Sequence, residues 1–290
     1  MLAFRCTRGQ GSGMRLLFLT VIVMIAFASN SVLGRVGVFT YGMDPFAFAT
    51  VRVAAGAAML AFLVLWQRGA IPLAQGRSYA GSVSLAIYMV GFSWAYLQLD
   101  AGLGALILFG VMQVAMFGFA VWRGDDVPLL RWIGAAVALT GLTILLWPGG
   151  SAPVHGPSAV AMALAGLGWA AYTLIGQKAT DPSAASSANF VLCLPVVAVV
   201  WVLAGLSGVT LGGVIAAVIS GAITSGLGYA LWYRVVPQLS TTVAAVAQLS
   251  VPVIAVAAGV ALLGEPLTSR LIIAGLLVLG GIGLSLLRRG

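Results

Sequence analysis

Six polar or aromatic side chains interrupt long apolar stretches of this sequence, and their chemistry suits binding. They are Asn30, Tyr88, Gln113, Trp169, Tyr172 and Gln248. Counting from the ends of the apolar stretches places each within a few turns of the centre of a membrane-spanning helix. A polar group at that depth costs energy unless it has a partner, so each is a candidate for substrate binding. One alternative stays open: the rings pack helices together, and the amides bond to neighbouring backbones.

A repeated spacing links four positions. Phe27 and Asn30 lie three residues apart, and Trp169 and Tyr172 repeat that interval, so each pair shares one helical face. A cavity lined by both pairs would offer flat aromatic surfaces and hydrogen-bonding groups, which suit an amphipathic, partly aromatic ligand. Pro252 lies inside another apolar stretch, where proline bends a helix and frees a backbone carbonyl. A gating hinge and a static kink are both compatible with Pro252.

Charged residues are scarce within the apolar stretches. Arg35 and Arg52 are expected near the outer ends of the first two helices. Either side chain can attract a carboxylate in the pathway, or it can snorkel to lipid headgroups. All six acidic residues fall at predicted helix ends or in loops, so no mid-depth carboxylate is predicted to relay protons. This pattern argues against proton-coupled carriage of cationic drugs and favours a neutral or zwitterionic cargo.

The residues that catalysis requires do not form a recognisable pattern. The single histidine, His155, lies in a loop of Gly, Pro and Ser, and no nucleophile–His–acid spacing or Walker-type phosphate loop occurs. Cys6 and Cys193 stand far apart and have no metal-ligand spacing. We therefore expect no enzyme activity, no catalytic residue, no metal site and no cofactor.

The elements that must position these residues are membrane-spanning helices. The chain is 61% hydrophobic and 7% charged, and its mean hydropathy is +1.11. A soluble domain of 290 residues cannot hide so much apolar surface from water. The apolar runs predict an all-α membrane protein of ten transmembrane helices, roughly at 15–38, 45–66, 79–97, 102–122, 131–147, 158–177, 187–206, 211–234, 240–263 and 268–287.

The basic residues predict the orientation of these helices. The net charge is +8, but Lys and Arg cluster at helix ends rather than in a stripe, so nucleic-acid binding is not expected. With the N-terminus inside, only Arg35, Arg52 and Arg270 fall at outer ends. This bias predicts a multi-pass protein of a bacterial-type inner (plasma) membrane with both termini in the cytoplasm. Aromatic residues near helix ends are expected to form interfacial belts; they are Trp94, Tyr96, Tyr229, Trp232 and Tyr233. For Trp94 and Tyr229, a position in a vestibule of the pathway is the alternative.

The two halves of the chain are weakly similar to each other. An offset of about 139 residues aligns Ala105 with Ala244 and Asp126 with Glu265. Because each half has five predicted spans, the second half must enter the membrane upside down relative to the first, an arrangement that recurs in transporters. The sequence therefore predicts two inverted five-helix repeats at 15–147 and 158–290, joined by a linker loop at 148–157, after a disordered tail at 1–14.

Local motifs resemble the drug/metabolite transporter superfamily, specifically its EamA-type members. Gly264-Glu265-Pro266-Leu267, before a glycine-rich last helix, is similar to an acidic turn of that family, and Val51-Arg52-Val53 resembles its arginine early in the second helix. The first half departs from the pattern, with Gly124-Asp125-Asp126-Val127 at the turn and Gln113 where Pro252 stands in the second half. The resemblance implies a secondary carrier, and its closest branch is that of aromatic or neutral amino-acid exporters.

The expected function is export of small metabolites by alternating access through a cavity between the repeats. Neutral or aromatic amino acids are the favoured cargo, and a multidrug or sugar-derivative carrier is the rival within the superfamily. A non-transporting membrane enzyme or assembly subunit is the rival outside it, and a passive channel is a further one. The expected partners are a small-molecule substrate and the lipid bilayer, and a monomer is compatible with the sequence.

Overall fold

The computed structural model describes residues 9–68, 76–124, 127–147, 154–177, 179, 181–235, 238–239 and 241–286. Within those ranges the regular structure is helical and contains no strand, as the sequence predicts. The expectations for Asp125 and Asp126, for residues 1–8 of the tail and for most of the linker loop lie outside the described residues.

The helix bounds follow the predicted segments closely. The helices are α1 (Gly9–Arg35), α2 (Pro45–Arg68), α3 (Gly76–Ala95), α4 (Ala101–Trp122), α5 (Leu129–Leu146), α6 (Gly156–Gly176), α7 (Pro182–Leu203), α8 (Leu211–Val218), α9 (Gly228–Val235), α10 (Thr241–Leu263) and α11 (Ser269–Leu286). Two π-helical segments extend this order, Val36–Thr40 after α1 and Ile219–Leu227 between α8 and α9. Since α8, the second π segment and α9 are continuous, they form a single span.

Local sequence signals set several helix starts. Proline opens α2 and α7, where its missing N–H is not needed. Asp181 caps α7 by accepting from the Ala184 N–H at 3.2 Å, and Asp44 caps α2 by accepting from Phe46 and Ala47 at 2.9 Å. Helix α7 therefore begins at Pro182, five residues before the predicted segment. The prediction started late because polar residues such as Ser186, Ser187 and Asn189 lower the hydropathy of this region, although all three are buried in the bundle.

Seven helices of the described part are long and apolar enough to cross a membrane, and Ala247–Leu263 and Ser269–Leu284 are shorter apolar helices. Large apolar side chains such as Phe62, Leu164 and Leu276 are exposed on the outside of the bundle. In water this surface would be costly, whereas lipid solvates it without penalty. The chain is therefore a multi-pass membrane protein.

The contacts between helices are symmetric with respect to the two halves of the chain. Helix α2 packs on α7, α4 packs on α10, and α5 packs on α11, so corresponding helices of the two halves meet. The contact of α3 with α6 is matched by that of α1 with the π segment 219–227 and α9. This pairing is the one expected for inverted five-helix repeats, with the two halves meeting at the centre of the bundle.

Glycine allows the closest of these helix contacts. A Cβ at Gly281 would lie 2.5 Å from the Gly134 carbonyl oxygen and 2.6 Å from the Ala138 nitrogen, and a Cβ at Gly141 would lie 2.9 Å from the Ala274 carbonyl oxygen. These obstacles are backbone atoms, so they cannot rotate away. Small residues therefore hold α5 against α11, as in other helix pairs packed in lipid.

Candidate functional site

A small cavity lies where both halves meet, at mid-depth in the bundle. Its walls come from α1, α3, α4, α6 and α9, and they consist of Phe27, Asn30, Ser31, Tyr88, Phe92, Ala105, Leu108, Phe109, Trp169 and Tyr229. We call it the central cavity. Its volume is about 30 Å³, enough for one or two water molecules. An amino acid therefore fits only if the surrounding helices move apart.

Aromatic rings from different helices form most of the cavity wall. The ring centre of Trp169 lies 5.0 Å from that of Tyr88 and 5.4 Å from that of Tyr229, and Phe27 lies 5.6 Å from Tyr229. These separations fall in the range of favourable aromatic pairing. Tyr172 stacks behind Trp169 at 5.5 Å and donates a hydrogen bond to Ser186 at 3.0 Å. The wall is thus a largely aromatic surface against which a flat ring can lie once the cavity widens.

Asn30 links α1 to the π segment 219–227. Its Oδ1 accepts from the hydroxyls of Ser220 at 2.7 Å, Thr224 at 2.6 Å and Ser225 at 3.3 Å. All four side chains are buried. The spacing of these hydroxyls depends on the wider turn of the π-helix, a distortion often found at functional sites. The result is a polar cluster beside an otherwise aromatic cavity.

Arg52 is buried beside this cluster. Its Nη2 donates to the Tyr88 hydroxyl at 3.1 Å and to Ser225 Oγ at 3.3 Å, and its guanidinium carbon lies 4.7 Å from the centre of the Phe92 ring. The residue is 0% exposed, and Nε and Nη1 have no acceptor among the described residues. Its side chain therefore does not reach the lipid headgroups, the snorkelling alternative that the sequence left open.

The burial of Arg52 is energetically demanding. A buried donor without a partner costs about 1–3 kcal/mol, and more on a charged group, while a charge at membrane depth costs roughly 2.5–3.5 kcal/mol on insertion scales. Aromatic faces return part of this cost through cation–π attraction. The two bonds of Nη2 and the rings of Tyr88 and Phe92 therefore stabilise the guanidinium only in part.

One end of the bundle is closed by contacts between α1, α4 and the turn after α10; we call it the Glu265 end. The Glu265 carboxylate accepts from the N–H groups of Ala101 at 2.6 Å and Gly102 at 3.3 Å. Arg35 donates to the Tyr96 carbonyl at 3.1 Å and pairs with Asp100 at 3.5 Å. An anion is favoured at a helix N-terminus, so Glu265, from the second half, holds the start of α4, from the first half.

Two glycines and a tyrosine complete this closure. Tyr96 is 0% exposed. Its ring occupies the space that a Cβ would need at Gly34 (2.9 Å) and at Gly104 (2.7 Å), so α1 and α4 close around it. The carboxylate of Glu265 occupies the Cβ position of Gly259 on the preceding helix. A larger residue at position 259 would therefore displace the carboxylate from α4.

The protonation of Glu265 is tied to this contact. Burial raises the pKa of its carboxyl above the ordinary value, the N–H groups of Ala101 and Gly102 lower it, Asp100 raises it and Arg35 lowers it. The net direction is upward. The closed arrangement therefore binds a proton at Glu265 more tightly than an exposed carboxyl would.

A larger cavity lies toward the opposite end of the bundle, which we call the Arg123 end. Its volume is about 280 Å³, and its polar lining residues are Gln113, Arg123, Arg131 and Gln177. Phe109 of the central cavity and Gln113 of the larger cavity are four residues apart on α4, hence on one face and about 6 Å apart along the axis. The two cavities thus follow one another along α4.

The structure brings together only part of the predicted set. Phe27, Asn30, Tyr88 and Trp169 line the central cavity, whereas Gln113 lines the larger cavity at the Arg123 end. Tyr172 lies one ring behind the wall. Gln248 is half-buried on α10 and lines neither cavity.

The remaining candidates take three different positions. Arg35 is part of the Glu265 end, and Arg52 is buried beside the central cavity. Pro252 is buried within α10, which packs on α1 and α4, and its ring nitrogen cannot donate to the Gln248 carbonyl. Its role as a hinge stays a prediction.

The expectation of an aromatic belt is wrong for Tyr96, and Tyr229 takes an inner position, as its alternative assignment to a vestibule allowed. Tyr229 is 4% exposed and lines the central cavity, while Tyr96 is fully buried at the Glu265 end. Both lie near helix ends in sequence, and position along a helix does not reveal which way a ring points. Ser220, Thr224 and Ser225 were also missed, because hydroxyl residues are common in membrane helices and their convergence depends on the π segment.

Comparison with known proteins gives three findings. The sequence model of the EamA-like transporter family matches residues 157–287. An uncharacterized protein of Pseudomonas aeruginosa, PA1977, is 44% identical over 277 residues, which cover 95% of this chain and 96% of that protein. A protein of known crystal structure superposes with a TM-score of 0.65 at 18% identity, over 92% of this chain and 97% of that chain. The last finding concerns the fold alone.

Proposed function

This chain belongs to the EamA-like transporter family, and from this premise we propose that it is a secondary carrier that exports neutral or aromatic amino acids. The observation that carries this proposal is the central cavity. Rings of Phe27, Tyr88, Trp169 and Tyr229 face one space, and Asn30 adds a polar edge. A cargo with a flat apolar part and a polar part matches that lining.

Alternating access is supported by the difference between the two ends of the bundle. Glu265, Arg35 and Tyr96 close one end, while the larger cavity lies toward the other. Rocking of the halves would open the Glu265 end and close the Arg123 end around the same central cavity. The bias of Lys and Arg supports an orientation in which the Arg123 end faces the cytoplasm, together with both termini, in a bacterial-type inner membrane. Cargo would then enter from the Arg123 end and leave from the Glu265 end.

The decisive experiment is uptake and counterflow in proteoliposomes that contain the purified chain. Radiolabelled phenylalanine, tryptophan and leucine are the cargo probes, and empty liposomes are the control. We expect saturable uptake that is accelerated by unlabelled amino acid on the opposite side. Uptake that rises linearly with concentration and shows no acceleration would indicate a channel.

The same vesicles separate the rival cargoes. Competition by bulky aromatic cations or by sugar derivatives, without flux of any amino acid, would replace the amino-acid assignment by one of those classes. Absence of flux for every probe, in vesicles that retain a trapped dye, would favour a non-transporting membrane protein. Each result is read from the wild-type chain and needs no variant.

A further inference from the structure

The guanidinium of Arg52 is fully buried and has no acid beside it among the described residues. Arg35 pairs with Asp100, and Arg270 bonds the carbonyls of Ile144 and Trp147. Arg52 is 0% exposed and bonds only two hydroxyl oxygens among the described residues. A buried cation is normally balanced by an anion nearby. No described residue supplies that anion.

Each described carboxylate is engaged elsewhere. Asp44 caps α2, Asp181 caps α7, Asp100 pairs with Arg35, and Glu265 holds the start of α4. The other two acids, Asp125 and Asp126, lie outside the described residues, between α4 and α5 in the sequence.

Arg52 adjoins the central cavity through two of its wall residues. The Tyr88 hydroxyl accepts from Nη2, and the Phe92 ring lies under the guanidinium carbon at 4.7 Å. Ser225 connects Arg52 to Asn30, a third wall residue. Arg52 therefore touches residues of the cavity wall, and its Nε and Nη1 donors are buried without an acceptor among the described residues.

We propose that Arg52 binds the carboxylate of the transported molecule when the central cavity widens. This inference rests on the proposed function, and it names the group of the cargo that is recognised and the residue that recognises it. The carboxylate would accept charge-assisted hydrogen bonds from a guanidinium already freed of water. The ring of the cargo would lie against Trp169 and Tyr229, on the other side of the cavity.

The charge of the site favours a carboxylate over a phosphate. One guanidinium balances one negative charge, and the nearest other described arginine in sequence, Arg35, already has Asp100. A phosphate dianion would keep an uncompensated charge at membrane depth, which is costly. A single carboxylate group balances the charge of the guanidinium, and an amino acid brings one such group.

Binding of matched ligands to the purified full-length chain in detergent micelles tests this proposal. The probes are 3-phenylpropionate, its neutral amide 3-phenylpropionamide, and phenethylamine, which has the ring but no carboxylate. Dissociation constants are read from tryptophan fluorescence. The wild-type chain should bind 3-phenylpropionate about 10- to 100-fold more tightly than the amide, the range expected for hydrogen bonds to a charged group. Equal binding of the two, or no binding of the carboxylate, overturns the proposal without the need for a variant.

Substitution of Arg52 then locates the preference. Arg52→Gln should abolish the difference between carboxylate and amide and should not weaken phenethylamine binding, while Arg52→Lys should keep part of the difference. The matched control is Arg234→Gln, an exposed arginine at the end of α9. If Arg52 were only structural, Arg52→Gln would weaken all three ligands by the same factor, and that result overturns the proposal.

The outcome is separable from that of the proposed function. A carboxylate preference that depends on Arg52, in a chain that moves no amino acid, refutes the cargo assignment and leaves the Arg52 site standing. Phenylalanine counterflow with equal binding of 3-phenylpropionate and its amide supports the carrier and refutes the Arg52 site.

Discussion

Replacing Glu265 by alanine should open the Glu265 end of the bundle. The carboxylate joins the two halves through the N–H groups of Ala101 and Gly102, at 2.6 and 3.3 Å. A hydrogen bond to a charged group contributes about 1.5–3 kcal/mol, but the longer bond and the partial exposure of Glu265 reduce the sum. We expect Glu265→Ala to remove about 2–3 kcal/mol from the closed arrangement. The ratio of open to closed molecules should rise roughly 30- to 150-fold.

The assay is the labelling rate of a cysteine placed in the central cavity. Ala105 is a suitable position because it lines that cavity and is 1% exposed. The background is Cys6→Ser with Cys193→Ala, and Ala105→Cys is labelled with a membrane-impermeant maleimide. Sealed vesicles of both orientations separate access from the Glu265 end from access through the Arg123 end. Labelling from the Glu265 end should accelerate in the Glu265→Ala variant.

The control is an acid at the same end whose carboxylate does not join the halves. Asp44 caps its own helix α2, and asparagine caps as well as aspartate, so Asp44→Asn should leave the labelling rate unchanged. A Glu265→Ala rate within threefold of the wild-type rate would refute the view that this carboxylate holds the end closed. Equal acceleration from both ends would indicate general loosening of the bundle.

Three further predictions follow from the geometry. Burial raises the pKa of Glu265 in the closed arrangement, so closure should strengthen as the pH falls through that raised pKa toward the ordinary carboxyl range near ~4.3. Labelling from the Glu265 end should therefore slow at low pH in the wild type relative to the Glu265→Gln variant. A ratio of the two labelling rates that does not change with pH would contradict this. Gly281→Ala should lower the midpoint of thermal unfolding in detergent, because its Cβ meets backbone atoms of α5 and such overpacking costs about 1–3 kcal/mol. Gly280→Ala is the control, since nothing lies within 4 Å of its Cβ position. Equal midpoints for the two variants would refute the packing argument. If Pro252 is a hinge, Pro252→Ala should lower the turnover number of counterflow and leave KM unchanged, whereas unaltered turnover identifies a static kink.

Most of the fold was predictable because each membrane span is identified by the hydropathy of its own residues, independently of the other spans. Each span is an apolar run of about 20 residues, and lipid requires such runs to be helical, so most bounds agree with the structure within a few residues. Helix α7 shows the weakness of this reasoning. Its first turns carry Ser186, Ser187 and Asn189, which are buried against other helices rather than exposed to lipid. Hydropathy cannot distinguish these two environments.

The site was predictable only in part because it depends on helix rotation. Phe27, Asn30, Tyr88 and Trp169 were found from depth and spacing, and they line the central cavity. Tyr229 was assigned to a belt because it is near a helix end, yet the π segment 219–227 changes the rotation of the residues that follow it. Nothing in the local sequence specifies that extra turn width.

Arg52 shows a further limit of sequence reasoning. Its position early in the second helix is equally compatible with snorkelling and with burial, since the arginine side chain is long enough for either. The choice depends on partners from α3 and the π segment, Tyr88 and Ser225, which lie 36 and 173 residues away in the chain.

The measurement that tests the central claim most directly is phenylalanine counterflow by the Trp169→Ala variant, beside that of Trp66→Ala. Trp169 contacts Tyr88 and Tyr229 in the wall of the central cavity, whereas Trp66 is 80% exposed on the outside of α2. Loss of a ring that touches the cargo should raise KM by roughly 10- to 100-fold, from about 1.5–3 kcal/mol of buried apolar contact, and Trp66→Ala should behave as wild type. Unchanged kinetics in Trp169→Ala, in a chain that still transports phenylalanine, would contradict the assignment of the central cavity as the path of the cargo.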